Sequence, residues 1–319
     1  MSSSLLPSEF TNVLKKEKYQ LVGKHSAVKK CLWLHKSLTG GGACYKNRFY
    51  GIKSWQCLQM TPTIAHCTMR CLFCWRIQSS DINLNFNETL IRERDDPETI
   101  VEGSLKAQKR ILSGYKDHLN VNPQTYLEAL KPSHAAISLA GEPTLYADLG
   151  GLIYAFRRRG LTTFIVTNGT LPEAIEKLGE EPSQLYVSVA APDEETFKDV
   201  CRPQISGAWE RLNKSLEMLS SFRCPTVIRL TLVRNINLKS PEKYAQLINK
   251  ANPTYVEAKS FMFLGMSRLR LPFESMPTHR EIKAFAGKLS EFSGYKILDE
   301  SEQSRVVLLS RLKKAIKLA

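Results

Sequence analysis

The chain of 319 residues lacks any run of about 18 apolar residues, which is the length that a membrane-spanning helix requires. Its N-terminus has no apolar core of the kind found in secretory signals. No internal repeat or low-complexity tract is present, and no linker rich in Pro, Gly and Ser follows residue 60. We therefore expect a cytoplasmic protein without a membrane segment, built as one large α/β domain or two smaller ones.

Negative charge is also scarce, because 31 Asp and Glu face 45 Lys and Arg, a formal net charge of +14. The positive excess is spread along the chain, from the segment before the first cysteine to the basic tail after Arg311. Spread positive charge suits a long polyanion such as a nucleic acid. A surface adapted for solubility or heat has the same composition, so charge alone leaves both interpretations open.

Cysteine is the residue type that carries the most information here. Eight cysteines could form four disulfides, but a chain of this size does not need them and has no export signal, so we expect reduced thiols. Six of them lie in the first quarter of the chain and form two sets of three. The downstream triad is Cys67, Cys71 and Cys74, and the upstream triad is Cys31, Cys44 and Cys57. We expect Cys201 and Cys224 to be buried residues without a ligand role.

The downstream triad has the spacing Cys-x3-Cys-x2-Cys. Three thiolates from one short loop can bind three irons of a cubane cluster and leave the fourth iron open for chemistry. Zinc sites prefer paired Cys-x2-Cys knuckles with a fourth ligand, and the candidate, His66, is adjacent to Cys67, where its geometry would clash with a tight loop. The spacing therefore favours an iron–sulfur cluster. The upstream triad suggests a second one, although its two twelve-residue gaps do not form a local clamp.

Short apolar runs alternate with amphipathic stretches, which predicts an α/β fold with a parallel sheet and helices outside it. Six such units are too few for a closed barrel of eight strands, so we predict a partial (β/α)6 barrel. The predicted strands are Cys57–Ala65, Ala135–Ala140, Thr163–Thr167, Leu185–Ala190, Thr226–Val233 and Tyr255–Phe261. The predicted helices between them are Pro97–Lys116, Leu145–Arg159, Pro172–Leu178, Ala208–Ser221 and Pro241–Lys250.

The predicted core spans residues 56–270. An N-terminal extension, residues 1–55, carries most of the upstream triad and is expected to be an irregular wrap. A C-terminal extension, residues 271–319, contains a helix over Thr278–Phe292, a strand over Val306–Ser310 and the basic tail. Ligands bind at the carboxyl ends of parallel strands, and the downstream triad follows the first of these strands.

The sequence CTMRCLFC, with Phe73 before the last cysteine, resembles the cluster loop of radical S-adenosylmethionine enzymes. That resemblance implies a [4Fe–4S] cluster whose open iron binds S-adenosylmethionine, and a 5′-deoxyadenosyl radical released by reductive cleavage. It also implies which residues bind S-adenosylmethionine. They are Phe73, the turn Gly141, Glu142 and Pro143, and, at later strand ends, Asn168 and Ser188.

The upstream triad, the lysine in CYK (Lys46) and the segments AGEPTLY, TNG, SVAAP and KSFMFLGMSRLRL resemble the tRNA 4-demethylwyosine synthase family in its stand-alone archaeal form. The resemblance covers nearly the whole chain. It implies a lyase of wyosine biosynthesis that converts N1-methylguanosine at position 37 of tRNA(Phe) to 4-demethylwyosine. It further implies a second [4Fe–4S] cluster, pyruvate held by Lys46, and an external electron-donor protein. Arg268 and Arg270 are the predicted tRNA contacts.

Two alternatives remain open from the sequence. One keeps the superfamily but changes the substrate, to a peptide or to a protein that receives a glycyl radical. The other is a zinc-bound RNA-binding protein without catalysis, which iron content and colour would distinguish.

Overall fold

The computed structural model describes residues 6–116 and 118–318, and ten strands within them form one sheet. In chain order the strands are β1 Gln20–Val22, β2 Ser26–Val28, β3 Cys57–Thr61, β4 His134–Ile137, β5 Thr162–Thr167, β6 Gln184–Ser188, β7 Thr226–Leu232, β8 Tyr255–Ser260, β9 Lys296–Ser301 and β10 Val306–Ser310. The helices are α1 Ser8–Lys16, α2 Leu32–Leu38, α3 Tyr45–Tyr50, α4 Pro97–Ser113, α5 Pro123–Ala129, α6 Leu149–Arg157, α7 Pro172–Glu176, α8 Glu194–Cys201, α9 Ala208–Glu217, α10 Pro241–Ala251 and α11 His279–Ser293.

Six strands, β3 to β8, pair in parallel and follow one another in chain order. Helices lie in the connections between them, which is the arrangement that the alternating pattern predicts, so the partial barrel is confirmed. At one edge β1 and β2 add antiparallel strands, and at the other edge β10 and then β9 do the same.

The two faces of the barrel strands pack against different partners, because successive strand residues point to opposite faces. On the outer face, Ile165, Leu185 and Ile228 belong to the largest apolar cluster, with residues of the outer helices. On the inner face, Phe164 and Tyr186 belong to a second cluster, which contains the short helix α3. The lumen of the barrel is therefore filled in part by the N-terminal extension.

The N-terminal extension is not the irregular wrap that we expected. Residues 20–28 form the hairpin β1–β2, and β2 pairs with β3, so this segment completes one edge of the sheet. Phe10 and Leu14 of α1 are fully buried in a cluster with Ile64 and Leu139. The expectation failed because the partners of β2 and α1 lie more than thirty residues away, where local sequence patterns carry no signal.

Five helices were not in the predicted set: α1, α2 and α3 of the N-terminal extension, and α5 and α8 of the core. The tail after β10 has no helix over residues 311–318. Within residues 6–116 and 118–318, no helix has the length and apolarity needed to cross a bilayer.

Candidate active site

The downstream triad lies on a loop that follows β3 and is fastened by backbone hydrogen bonds. The Cys67 N–H donates to the Glu88 carbonyl at 2.8 Å. The Leu72 N–H donates to the Val200 carbonyl at 2.9 Å, and the Arg70 N–H donates to the Cys201 carbonyl at 3.1 Å. The end of α8 therefore fixes the middle of the loop, which is how a segment without regular structure holds three thiols in place.

Arg270 fastens the other half of the same loop. Its Nη1 donates to both carboxylate oxygens of Asp81 at 2.7 and 2.8 Å, and its Nε donates to the Leu72 carbonyl at 3.3 Å. Its Nη2 donates to the Cys74 carbonyl. The Arg270 guanidinium thus already has partners within the protein, and its side chain is only 10% exposed. Of the two predicted tRNA contacts, only Arg268 is exposed to solvent.

The three thiols of the downstream triad are half-buried and none forms a disulfide. The neighbouring Cys201 thiol and burial raise the pKa of Cys71 well above its ordinary value, and burial raises the pKa of Cys67 in the same way. Metals bind the thiolate, so a buried set of unpaired thiols fits a cation that compensates their charge. Cys201 is buried, as expected, but its contact with Cys71 was not predicted.

The Gly141–Glu142 turn packs directly against the segment that leads into the loop. Gly141 has φ +68°, and a Cβ at this position would lie 1.8 Å from the Thr63 carbonyl oxygen, so only glycine fits. The Glu142 N–H donates to the His66 carbonyl at 2.8 Å. The turn therefore brings the ends of β3 and β4 into contact.

Glu142 itself is only 1% exposed, and its carboxylate accepts hydrogen bonds from its own surroundings. Oε1 accepts from the Thr144 N–H at 3.1 Å, from the Thr144 hydroxyl at 2.7 Å and from the Thr167 hydroxyl at 2.6 Å. Oε2 accepts from the Asn168 N–H at 2.7 Å. Burial raises the pKa of Glu142 although these donors oppose the shift. The carboxylate thus ties the end of β4 to the end of β5.

Of the other predicted S-adenosylmethionine contacts, Asn168 is the one that the described contacts join to this turn. The Asn168 side-chain amide donates to the Thr68 hydroxyl at 2.8 Å and lies 3.8 Å from the Cys67 Sγ, so the structure brings it to the cluster loop. Its carbonyl accepts from the Thr170 N–H at 3.0 Å. Phe73 is half-buried against two apolar clusters. Pro143 is buried, and Ser188 ends β6 on the lumen face, two residues beyond Tyr186.

The three thiols of the upstream triad are close enough to act on one another electrostatically, although they are far apart in sequence. Cys31 precedes α2, Cys44 precedes α3, and Cys57 is the first residue of β3. Burial and the nearby Cys31 thiol raise the pKa of Cys44 to about 11 and that of Cys57 to about 12. These thiols are also free, so they too fit a cationic group that stabilises thiolates.

Over the described ranges, no three or more His, Cys, Asp and Glu side chains are spaced to hold a single metal ion. A tetrahedral zinc needs ligand atoms within about 2.3 Å of one point. The thiolates of a cubane cluster bind separate irons and stand further apart. The buried His66 ring packs against Phe86, with ring centroids 5.3 Å apart, and its Nδ1 has no hydrogen-bond partner among the residues that the structure describes.

Lys46 lies in the lumen, on the first turn of α3. Its Nζ is 4.2 Å from the centroid of the Tyr186 ring and 4.7 Å from that of Phe164, with Cys44 and Cys57 nearby. Burial lowers the pKa of Lys46 to about 8, and the positive charge of Arg229 acts in the same direction.

A buried charge network surrounds this lysine, and sequence reasoning did not identify it. The Glu257 carboxylate is fully buried and accepts from the Tyr45 and Tyr50 hydroxyls, each at 3.0 Å. Arg229 Nε donates to the same carboxylate at 3.0 Å, and its Nη2 donates to the Tyr45 hydroxyl at 2.9 Å. The signal that could have revealed this network is a charged residue within each of two apolar strands, Arg229 in β7 and Glu257 in β8.

Comparison with protein families agrees with this geometry. Residues 61–248 match the family model described as the radical SAM superfamily, and residues 250–311 match the one described as wyosine base formation. The S-adenosyl-L-methionine-dependent tRNA 4-demethylwyosine synthase of Pyrococcus abyssi is 51% identical over 96% of this chain and 90% of that protein. The synthase of Methanocaldococcus jannaschii is 40% identical over 96% of each chain.

Solved structures give the same result. A structure of TYW1 with a lysine-pyruvate adduct bound has a TM-score of 0.88 and 39% identity, covering 98% of this chain and 99% of that chain. A crystal structure of archaeal TYW1 has a TM-score of 0.81 and 36% identity with the same coverage.

Proposed function

This chain belongs to the radical S-adenosylmethionine superfamily and, within it, to the tRNA 4-demethylwyosine synthase family, and from that membership we propose its reaction. We propose that it converts N1-methylguanosine at position 37 of tRNA(Phe) to 4-demethylwyosine, with pyruvate as the donor of two carbons. The observation that carries the proposal is the place of Lys46 in the barrel lumen, where its Nζ lies against the Tyr186 ring and near Cys44 and Cys57 of the upstream triad. The TYW1 structure with a lysine-pyruvate adduct supports the same use of a lysine.

We propose that Cys67, Cys71 and Cys74 hold the [4Fe–4S] cluster of the superfamily. When S-adenosylmethionine binds there, it supplies a 5′-deoxyadenosyl radical. The surrounding residues of this chain would hold the loop of the downstream triad in place and exclude water from it. Arg270 and the end of α8 fix the loop. Asn168 and Gly141 shape the wall beside Cys67.

We further propose that Cys31, Cys44 and Cys57 hold a second [4Fe–4S] cluster. Three free thiols gathered at the starts of three elements support this proposal, because their raised pKa values make them poor thiolates without a bound cation. The position of Cys44, two residues before Lys46, would bring this cluster close to the lysine amine.

Lys46 is proposed to form a Schiff base with pyruvate. The neutral amine attacks the ketone carbon to give a carbinolamine, which takes up one proton from solvent and loses water, so that an iminium joins Nζ to that carbon. The aromatic rings of Phe164 and Tyr186 enclose the amine and shield it from solvent. The Glu257–Arg229 pair stabilises Tyr45 and Tyr50 on the same helix. The proposed role of these groups is to orient α3.

The modified nucleotide must leave the anticodon stack to reach the lumen. We propose that basic side chains at the mouth, with Arg268 among them, contact the phosphates. The electron would come from a separate donor protein.

The test is mass spectrometry of tRNA(Phe) nucleosides after anaerobic incubation with S-adenosylmethionine, pyruvate and a reductant. The wild type is expected to form 4-demethylwyosine and to carry about eight irons. Cys71→Ala is expected to abolish product. Lys46→Ala is expected to abolish product while 5′-deoxyadenosine still forms from S-adenosylmethionine.

Lys53→Ala is the matched control, because Lys53 is exposed and lies seven residues beyond Lys46 in the same extension. It is expected to retain the wild-type rate. Product formation by Lys46→Ala at the normal rate would show that the Schiff-base assignment is wrong. A colourless protein that contains zinc would overturn the proposed reaction as a whole.

A further inference from the structure

The last eight described residues, 311–318, follow β10 without regular secondary structure and lie against the amino end of β8, and we call them the C-terminal strap. Its Ile316 N–H donates to the Tyr255 hydroxyl at 2.7 Å, at the start of β8. Its first residue, Arg311, donates through Nη1 to the Asn252 side chain at 2.7 Å, just after α10. Side-chain and backbone contacts therefore anchor the strap along its length.

The end of the strap satisfies the free carbonyls of α3. The last turn of a helix leaves carbonyl groups without partners inside the helix. Lys317 Nζ donates to the carbonyls of Arg48 and Phe49 at 2.8 and 3.1 Å. The Leu318 N–H donates to the Tyr50 carbonyl at 2.9 Å. All three final residues of α3 thus receive a hydrogen bond from the strap.

Apolar contacts add to this connection. Ala315 and Leu318 pack against the buried cluster that contains Tyr45, Phe49 and Tyr50 of α3. Helix α3 has only six residues, and a helix this short is not stable by itself, so its order depends on tertiary contacts. Glu257 supplies such contacts from inside the lumen, and the strap supplies them from outside.

We propose that the C-terminal strap is a positioning element that holds α3, and with it Lys46, in the orientation needed for the keto acid. The proposal rests on the proposed function of Lys46. Lys317 positions the lysine helix through its backbone and does not touch the substrate.

The downstream triad lies at the opposite end of the barrel strands and has its own fastenings from α8 and Arg270. Loss of the strap should therefore impair the lysine chemistry and spare the cleavage of S-adenosylmethionine. This separation distinguishes a positioning role from a general contribution to folding.

The experiment compares the cluster-loaded wild type with a chain that ends at Ser310 and with Lys317→Met. Borohydride reduces the pyruvate iminium on Lys46 to a stable amine, which peptide mass spectrometry quantifies. We expect the truncated chain to trap adduct at least about tenfold more slowly, and Lys317→Met about two- to fivefold more slowly, as befits a helix C-terminal cation. Lys317→Arg is expected to restore trapping, and Lys313→Met, on the exposed side of the strap, to leave it unchanged.

Amide hydrogen exchange of residues 45–52 provides a readout that does not depend on pyruvate. We expect exchange there to be about tenfold faster in the truncated chain, and exchange in α4 to be unchanged. Unchanged exchange over α3 would overturn the proposal whether or not an adduct forms. Equal losses of adduct, iron and 5′-deoxyadenosine in both variants would also overturn it. If the wild type traps no adduct while the truncated chain still exchanges faster over residues 45–52, the role of Lys46 is refuted and the strap remains the support of α3.

Discussion

Replacing Glu142 by alanine tests whether this carboxylate serves the fold or only the ligand. The change removes the acceptor of four hydrogen bonds in a site that is 1% exposed. The two threonine hydroxyls can rotate towards other acceptors, but the backbone N–H groups of Thr144 and Asn168 cannot. Each buried donor left without a partner costs about 1–3 kcal/mol, so we expect Glu142→Ala to lower the free energy of unfolding by about 4 kcal/mol.

That loss converts to a shift in the melting temperature. A chain of 319 residues has an unfolding entropy of about 0.7 kcal/mol/K, so the expected decrease is about 6 °C. Glu142→Gln keeps one oxygen but turns an amide N–H towards another donor, and we expect about half of that decrease. Glu291→Ala, at an exposed position of α11, is the control and should change stability by less than about 0.5 kcal/mol.

The assay is thermal unfolding of the cluster-loaded protein without S-adenosylmethionine, alongside ligand binding at a temperature where all variants are folded. A decrease below about 1 °C for Glu142→Ala, together with lost S-adenosylmethionine binding, would refute the reasoning. It would return Glu142 to the purely ligand-binding role that the family resemblance suggested.

Three further predictions concern other parts of the molecule. Gly141→Ala should prevent a normal yield of folded protein, because its Cβ would overlap the Thr63 carbonyl. The control is Gly160→Ala, where the space is open and only the strain of a positive φ should be lost in stability. Soluble yield and melting temperature measure both variants. The Lys243 ammonium lowers the pKa of Asp193 to about 2, below its unfolded value of about 3.9, so the stabilisation by this carboxylate is present above pH ~4 and lost as the pH falls through 2. The deficit of Asp193→Asn in urea unfolding should accordingly be about 1 kcal/mol at pH 6 and shrink towards zero at pH 2, and a deficit independent of pH would contradict this. Arg270→Ala should reduce the iron content, because it releases Asp81 and the loop carbonyls, while leaving the salt dependence of tRNA binding unchanged.

The strands of the barrel were predictable because each is a short apolar run bounded by turn residues. Val306–Ser310 was predicted with its observed bounds, and β7 and β8 ended within one residue of the prediction. The hairpin β1–β2 was not predictable, because three-residue strands carry too little pattern. The role of Arg270 was also missed, since its partner Asp81 is 189 residues away in sequence.

The sequence by itself determined the local chemistry. The spacing of Cys67, Cys71 and Cys74 forces three thiols into one loop, and the resemblance of CYK and the upstream triad to the 4-demethylwyosine synthase family pointed to Lys46. Only the tertiary structure decided what surrounds them. Burial beside Arg229 and two aromatic rings lowers the pKa of Lys46, and the strap from the far end of the chain caps its helix. Burial and electrostatics sum over residues brought together from the whole chain, so no local pattern can report them.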